Sequence, residues 1–303
     1  MLLAKYTLLY SVVLMLVALG GMFSERSGII NIALEGIMVI GSLAGVLADM
    51  FLPLAAGLKV PLSILIAGVA GMIYALLLAY ASINLRADQT IGGTALNILA
   101  TALAMVIAKR VNGTQAPKLN YSNRDFLFSI GGLDLSVFIP IGIVLLLIAY
   151  FVLYRTKLGL RLRSCGEHPQ AADSVGINVY KMRYIGVLVS GFLGGIGGMA
   201  YVVPAVQVWD FEQGVTGMGF LALAVMIFGQ WKPFRIALAA VFFSLFRAMA
   251  NIADSFPVLQ DLKWPKEIYN MMPFIASMVV LALTSKKSRA PKAEGIPYDK
   301  GMR

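Results

Sequence analysis

The chain has 303 residues, of which 59% are hydrophobic and only 13% are charged. Soluble domains carry about 25% charged residues, so this composition excludes a soluble globular protein and indicates one that crosses a membrane several times. The 25 Lys and Arg against 15 Asp and Glu give a formal net charge of +10. The positions of these charges favour membrane topology over nucleic-acid binding.

The apolar runs are continuous and about 20 residues long, which is the length of a membrane-spanning helix. The strands of a membrane barrel are about 10 residues long and alternate in polarity. We therefore predict an all-α, polytopic transmembrane bundle with about nine spans (eight to ten). The stretch 23–51 is compatible with one span or with a broken or re-entrant element. The predicted spans are 6–22, 28–51, 60–84, 90–108, 136–154, 184–203, 215–230, 236–251 and 268–284.

Most lysines and arginines fall on one side of this arrangement, chiefly in the loop 155–183 and in the tail 285–303. The positive-inside rule then predicts that this loop and the C-terminus are cytoplasmic. With nine spans the N-terminus lies outside. We divide the chain into a transmembrane domain, 1–284, and a basic cytoplasmic tail, which we expect to be solvated and partly disordered. On the outer side, the polar loop 109–135 is predicted to form a short lid or a strand pair.

Polar side chains interrupt two of the predicted spans. Asn31 and Glu35 lie four residues apart, and Thr94 and Asn97 three apart, so each pair shares one helix face. A carboxylate inside a span is costly and usually faces a cavity or a partner. We predict that the four side chains border one central cavity that carries a solute. In the alternative, Glu35 braces a loop or caps a neighbouring helix, and Asn97 makes an interhelical hydrogen bond.

Three further features of the spans are informative. Residues 190–201 contain two overlapping GxxxG pairs, which predict close helix packing and not a dinucleotide-binding turn, since no strand precedes them. Phe220 is a candidate for stacking on a planar ligand, with ordinary packing as the alternative. Arg247 either lies deep in the membrane or extends its side chain to the outer interface.

Motifs for catalysis or for a resident cofactor are missing from the sequence. It has one cysteine, Cys165, and one histidine, His168, so neither a disulfide nor a metal site of clustered ligands is expected. No phosphate-binding loop and no nucleophile–base motif of a hydrolase occurs. We predict that the chain is not an enzyme and has no metal or cofactor.

The loop 155–183 reads RTKLGLRLRSCGEHPQAADSVGINVYKMR and contains the pattern G-E-x-x-x-A-A-x-x-x-G from Gly166 to Gly176. With the segments GIINIALEGIM (28–38), ADQTIGGTALNILA (87–100) and GFLALAVMIFGQWKP (219–233), it resembles the inner-membrane permeases of bacterial ABC importers. The resemblance covers about residues 20–280. It lies in the branch for branched-chain amino acids, simple sugars and nucleosides, nearest to the nucleoside subgroup that works with basic membrane lipoproteins. The chain resembles the smaller of two paired permeases.

This resemblance implies a coupling helix within the loop 155–183 that docks on a cytoplasmic ATP-binding subunit, which would hydrolyse the ATP. It also implies a second permease subunit in a heterodimer, an external substrate-binding lipoprotein and a location in the bacterial inner membrane. Arg161 and Arg163 either grip the ATPase or only anchor the topology. The residues expected to couple to the ATPase are Arg161, Arg163, Gly166, Glu167, Ala171, Ala172 and Gly176.

The substrate that the resemblance implies is a nucleoside, with a simple sugar or a branched-chain amino acid as the alternative. A nucleoside is uncharged, and its pathway needs amides, hydroxyls and some aromatic surface, which Asn31, Thr94, Asn97 and Phe220 would supply. An ion-coupled secondary transporter is the alternative from another class. It would need membrane carboxylates as proton relays, and only Glu35 qualifies.

Overall fold

A computed structural model describes residues 2–130, 133–252, 271–276, 278–279, 282 and 289–301. Its long elements are helices, and α3 continues into a π-helical turn at Tyr80–Asn84. Residues 271–276 are also helical. The helices are α1 (Leu2–Arg26), α2 (Leu34–Phe51), α3 (Ala56–Ala79), α4 (Gln89–Asn112), α5 (Phe138–Arg155), α6 (Lys157–Glu167), α7 (Pro169–Ser174), α8 (Val179–Val202), α9 (Met218–Phe228) and α10 (Pro233–Ile252).

The predicted all-α transmembrane bundle is confirmed, but the count of nine spans is not. Within the described residues, 7 helices are long and apolar enough to cross a membrane, namely α1 to α5, α8 and α10. The predicted span 215–230 is too short, because α9 has only 11 residues, or about 16 Å, against a hydrocarbon core of about 30 Å. Left-handed backbone at Gly214, Thr216 and Gly217 interrupts the helix there. The predicted span 268–284 lies largely outside the described residues.

Two ends of the bundle can be distinguished by the elements at the ends of α1. Lys5, near its start, lies 3.8 Å from Asp134 in strand β3 (Leu133–Ser136). Arg26, its last residue, lies 3.6 Å from Glu167 of α6. We call these the strand end and the α6/α7 end.

The strand end carries two short antiparallel pairs. Strand β2 (Leu127–Ile130) pairs with β3, and β1 (Lys118–Asn120) pairs with β4 (Val208–Asp210). A strand pair in the loop 109–135 is therefore confirmed. The β1–β4 pair joins the segment after α4 to the segment after α8.

Helix boundaries follow local capping chemistry. The carboxylate of Asp88 accepts hydrogen bonds from the N–H groups of Thr90 and Ile91 at the start of α4, and Gly113 ends this helix in a left-handed conformation. The side chain of Asn178 caps α8 in the same way as Asp88 caps α4. These polar caps confine each helix to its apolar run.

Helix α8 lies at the centre of the bundle and packs against α1, α2 and α3. Two of its glycines face the backbones of other helices: a Cβ on Gly195 would collide with Ala67 of α3, and one on Gly198 would collide with Met38 of α2. Small residues allow such close approach in a membrane, where packing drives association of helices. The predicted packing role of residues 190–201 is confirmed.

The prediction of a solvated, partly disordered tail is wrong for residues 289–301. Tyr298 is 4% exposed and Ala293 is 6% exposed. The N–H of Ala293 donates to the carbonyl of Gly166 in α6 (2.8 Å), so the tail runs across the α6/α7 end. Ala293 and Tyr298 are buried there, although Ile296 is 55% exposed. The overall basic composition of the tail does not indicate this packing.

Candidate functional site

The N-terminus of α9 lies inside the bundle and is capped by a carboxylate from another helix. Glu35 of α2 accepts hydrogen bonds from the N–H groups of Gly217 (2.8 Å) and Gly219 (2.7 Å), and α9 has no side-chain cap of its own. The first N–H groups of a helix lack intrahelical partners, and the helix dipole favours a negative group there. A Cβ on Gly219 would lie 2.8 Å from Oε2 of Glu35, so this approach needs glycine.

The capped end of α9 lies about one length of this short helix from the α6/α7 end of the bundle. Just beyond the other end of α9, the indole N–H of Trp231 donates to the carboxylate of Glu25 (2.6 Å), and its carbonyl accepts from Arg26 (3.2 Å). These contacts place that end at the α6/α7 end of the bundle. An 11-residue helix rises about 16 Å from there, which is about half of the hydrocarbon core. Discontinuous helices of transporters present their ends to solutes at this depth.

Helix α2 also takes its cap from a neighbouring helix. The side-chain carbonyl of Asn97 in α4 accepts from the N–H of Gly36 (2.7 Å), and its amide donates to the carbonyl of Ile32 (2.9 Å). Ala33, at the N-cap position of α2, makes no side-chain cap. Asn97 is 8% exposed, and its polar groups satisfy backbone groups that would otherwise be unpaired in the membrane.

The remaining predicted pathway residues point to different neighbours. Asn31 is fully buried, and its amide donates to Oγ of Ser190 in α8 (2.8 Å). Thr94 is exposed on α4, and its hydroxyl donates to the carbonyl of Thr90 (2.8 Å). Phe220 is 46% exposed in the first turn of α9. Thus Asn31, Glu35 and Asn97 support the start of α2 and of α9, while the common cavity stays a prediction.

Helix α6 is fixed to the bundle by its second half. Glu167 pairs with Arg26 (3.6 Å), and Gly166 is so close to the carbonyl of Arg26 that a Cβ would collide with it. The guanidinium of Arg163 lies over the ring of Tyr154 (4.9 Å). Arg161 is exposed. The two arginines therefore differ, because Arg163 packs on α5 while Arg161 is open to a partner or to solvent.

Helix α7 has an inner and an outer face. Ala172 is buried with Cys165 and Tyr298, whereas Ala171 is exposed. Burial raises the pKa of the Cys165 thiol to about 11. After α7 the chain turns at Gly176, which has a left-handed conformation (φ 81°). Helices α6 and α7 therefore form a compact projection, and the tail packs against its inner side.

Sequence reasoning missed the residues that fix this projection. The tail binds α8 through Arg183, whose guanidinium donates to the carbonyl of Ile296 (3.0 Å). It also binds the turn between α3 and α4, because Arg86 pairs with Asp299 (2.9 Å). Asp299 and Lys300 line a cleft with Gln170 of α7. The sequence signal for this packing was Tyr298, an aromatic residue within an otherwise polar tail.

Within the part of the chain that the structure describes, no three His, Cys, Asp or Glu side chains cluster as a metal site would require. Most polar side chains near the starts of α2 and α9 already form hydrogen bonds with backbone groups. The arrangement is suited to hold helix ends inside a membrane and to present a helical projection outside it.

Long apolar helices, a half-length helix that begins inside the bundle and a basic helical projection are typical of a multi-pass membrane transport protein. The chain belongs to the family described as "Branched-chain amino acid transport system / permease component", whose model matches residues 3–283. It is therefore a permease of the cell membrane. No solved structure gave a significant match.

Curated relatives extend over nearly the whole chain. The guanosine ABC transporter permease protein NupQ of Bacillus subtilis is 41% identical, over 98% of this chain and 96% of that protein. The nucleoside ABC transporter permease protein NupC of Lactococcus lactis is 39% identical, over 97% and 95% respectively. The nucleoside ABC transporter permease protein NupB of the same bacterium is 24% identical, over 95% and 83%.

Proposed function

We propose that this chain is the permease subunit of an ATP-driven importer that carries nucleosides across the bacterial cell membrane. The observation that carries the proposal is the similarity, over nearly the full length, to permeases named for guanosine and for nucleosides. The uncharged solute is also compatible with a bundle whose polar groups are mainly amides and hydroxyls.

The α6/α7 end faces the cytoplasm and docks on a separate subunit that hydrolyses ATP. The basic residues of the loop 155–183 and of the tail support this orientation. Val175, just after α7, is 74% exposed although it is apolar, and an exposed apolar side chain on a helical projection suits a groove on a partner. Arg161 lies on the same projection and adds a charge for an acidic rim.

The solute passes the capped end of α9. Glu35, Asn97 and Asn31 hold the helix ends that border this pathway, and Phe220 and Thr94 lie on exposed faces beside it. Both carboxylate oxygens of Glu35 are engaged by N–H groups of α9, which disfavours a proton relay and hence the alternative of a secondary transporter.

Two further partners complete the importer. A second, different permease forms the other half of the pore, because Lactococcus lactis has two nucleoside permease proteins, NupB and NupC, that both resemble this chain. An external lipoprotein delivers the nucleoside at the strand end.

Uptake of labelled guanosine, uridine, a simple sugar and leucine should be measured in cells with and without the gene. We expect loss of nucleoside uptake alone, restored by the wild-type gene. Loss of sugar or leucine uptake with normal nucleoside uptake would overturn the substrate assignment. Uptake that persists after deletion of the partner ATPase would instead favour secondary transport.

Docking of the ATPase is tested by co-purification in detergent. Val175→Glu should release the ATPase, whereas the matched variant Val206→Glu, at an apolar residue beyond α8 that is 39% exposed, should retain it. Sidedness requires a cysteine at an exposed position, since Cys165 is buried. Labelling of a Ser174→Cys variant from outside intact cells would reverse the proposed orientation.

A further inference from the structure

Arg247 carries a charge into a membrane span. It lies in α10, within the span Pro233–Asn251. It lies fourteen positions beyond Pro233, which places it about 21 Å along the helix from the α6/α7 end. Ionised groups at such depth are costly and face a cavity, a partner or a solute pathway.

The partners of Arg247 are two neutral hydroxyl groups. One terminal nitrogen donates to Oγ1 of Thr216 (3.1 Å) and to the hydroxyl of Tyr201 (3.3 Å), and these hydroxyls lie 2.6 Å apart. Among the described residues, no carboxylate lies within ion-pair distance of this guanidinium. An arginine has five N–H donors, and among the described residues those on Nε and on the other terminal nitrogen of Arg247 have no hydrogen-bond partner.

The hydroxyl partners are themselves held in place. The ring of Tyr201 lies 5.5 Å from that of Trp209 and 6.1 Å from that of Tyr10. Thr216 has a left-handed backbone (φ 54°), a conformation that β-branched residues rarely adopt and that is kept where a site requires it. Thr216 directly precedes Gly217, whose N–H binds Glu35. The cluster therefore adjoins the capped end of α9.

We propose that Arg247 contacts the solute, and that its guanidinium donates to a carbonyl oxygen of a nucleobase while Tyr201 and Thr216 orient it. This inference rests on the proposed function. The planar fork of an arginine matches neighbouring acceptors such as O6 and N7 of a 6-oxopurine. Trp209 is only half-buried and offers nearby aromatic surface to the base.

An amino acid fits this cluster less well. Its carboxylate would suit Arg247, but its ammonium group would need a free carboxylate nearby. Glu35 adjoins the cluster through Gly217, and both of its oxygens are already bound to Gly217 and Gly219. Among the described residues, the hydrogen bonds of the cluster involve a guanidinium and two hydroxyl groups and no carboxylate that could bind a cation.

Inosine and adenosine test the proposed contact, because they differ at position 6 of the purine. This position bears a carbonyl acceptor in inosine and an amino donor in adenosine. Uptake of each is measured in cells that contain the complete importer. Arg247→Gln should lower inosine uptake about tenfold or more, as expected for loss of a charged hydrogen bond, and adenosine uptake much less. Arg247→Lys, which keeps the charge but loses the planar fork, should lower inosine uptake by an intermediate amount.

Three variants separate this contact from a structural role. Arg110→Gln changes an exposed arginine at the C-terminal end of α4 and should leave the ratio of inosine to adenosine uptake unchanged. Tyr201→Phe and Thr216→Val each remove one hydroxyl partner of Arg247. If Arg247 only braces the two hydroxyl groups, Tyr201→Phe, Thr216→Val and Arg247→Gln would each lower the uptake of inosine and of adenosine equally.

An equal fall for the two nucleosides, or no fall, overturns the contact while the wild-type uptake still supports a nucleoside importer. Membrane levels of each variant are checked by immunoblot, and Arg247→Lys provides the comparison if Arg247→Gln does not accumulate. Absence of uptake of both nucleosides by the wild type would instead overturn the proposed function and this inference with it.

Discussion

Removal of the Glu35 carboxylate should destabilise the half-length helix α9. Glu35→Ala deletes two hydrogen bonds, of 2.8 and 2.7 Å, to the first N–H groups of this helix. A hydrogen bond to a charged group contributes about 1.5–3 kcal/mol, and an unpaired buried N–H is costly. Because Glu35 is only half-buried, we expect the lower limit for the two hydrogen bonds together, about 3 kcal/mol.

The assay is the thermal midpoint of the purified protein in detergent, together with nucleoside uptake. A loss of about 3 kcal/mol should lower the midpoint by about 5 °C or more, and Glu35→Gln, which keeps one acceptor oxygen, should lower it by less. Glu212→Gln is the matched control, because this carboxylate is exposed on the turn before α9. A midpoint for Glu35→Ala within about 1 °C of the wild type would refute the capping role.

Three further changes have defined outcomes. At pH 8 the Cys165 thiol, with a pKa raised by burial from 9.0 to about 11, should hold about 100-fold less thiolate than an unperturbed thiol. Maleimide labelling should therefore be slow, rise with pH, and accelerate when the chain is truncated before residue 289. Asn97→Leu should destabilise the protein by about 1–3 kcal/mol, since it leaves the N–H of Gly36 unpaired. Gly195→Val should prevent accumulation in the membrane, because α8 can no longer approach α3.

Each of these outcomes has a control. Labelling of Cys165 at the same rate with and without the tail would show that the tail does not cover it. Thr94→Val changes an exposed hydroxyl that, among the described residues, bonds only to its own helix, and it should be neutral for stability. An equal loss in Asn97→Leu and Thr94→Val would contradict the bracing role of Asn97. Gly92→Val is the control for Gly195, since no atom of the described residues lies within 4 Å of a Cβ on Gly92.

Periodicity and length made the membrane bundle predictable, because a span must satisfy its backbone within one continuous apolar helix. The same rule failed at 215–230. That run is as apolar as a span, but its helix begins only at Met218. The N–H groups that this break leaves free are satisfied by Glu35, which is remote in sequence, and no local pattern reveals such a partner.

The sequence by itself determined that the chain is a helical membrane protein, that residues 190–201 pack closely and that the polar residues Glu35 and Asn97 interrupt apolar helices. These properties depend on the transfer of each segment into lipid, which composition decides locally. Only the tertiary structure decided that Glu35 and Asn97 cap helices other than their own and that the tail supports α7. Hydrogen bonds between distant segments depend on how the helices pack, and that packing places Arg247 beside two hydroxyl groups.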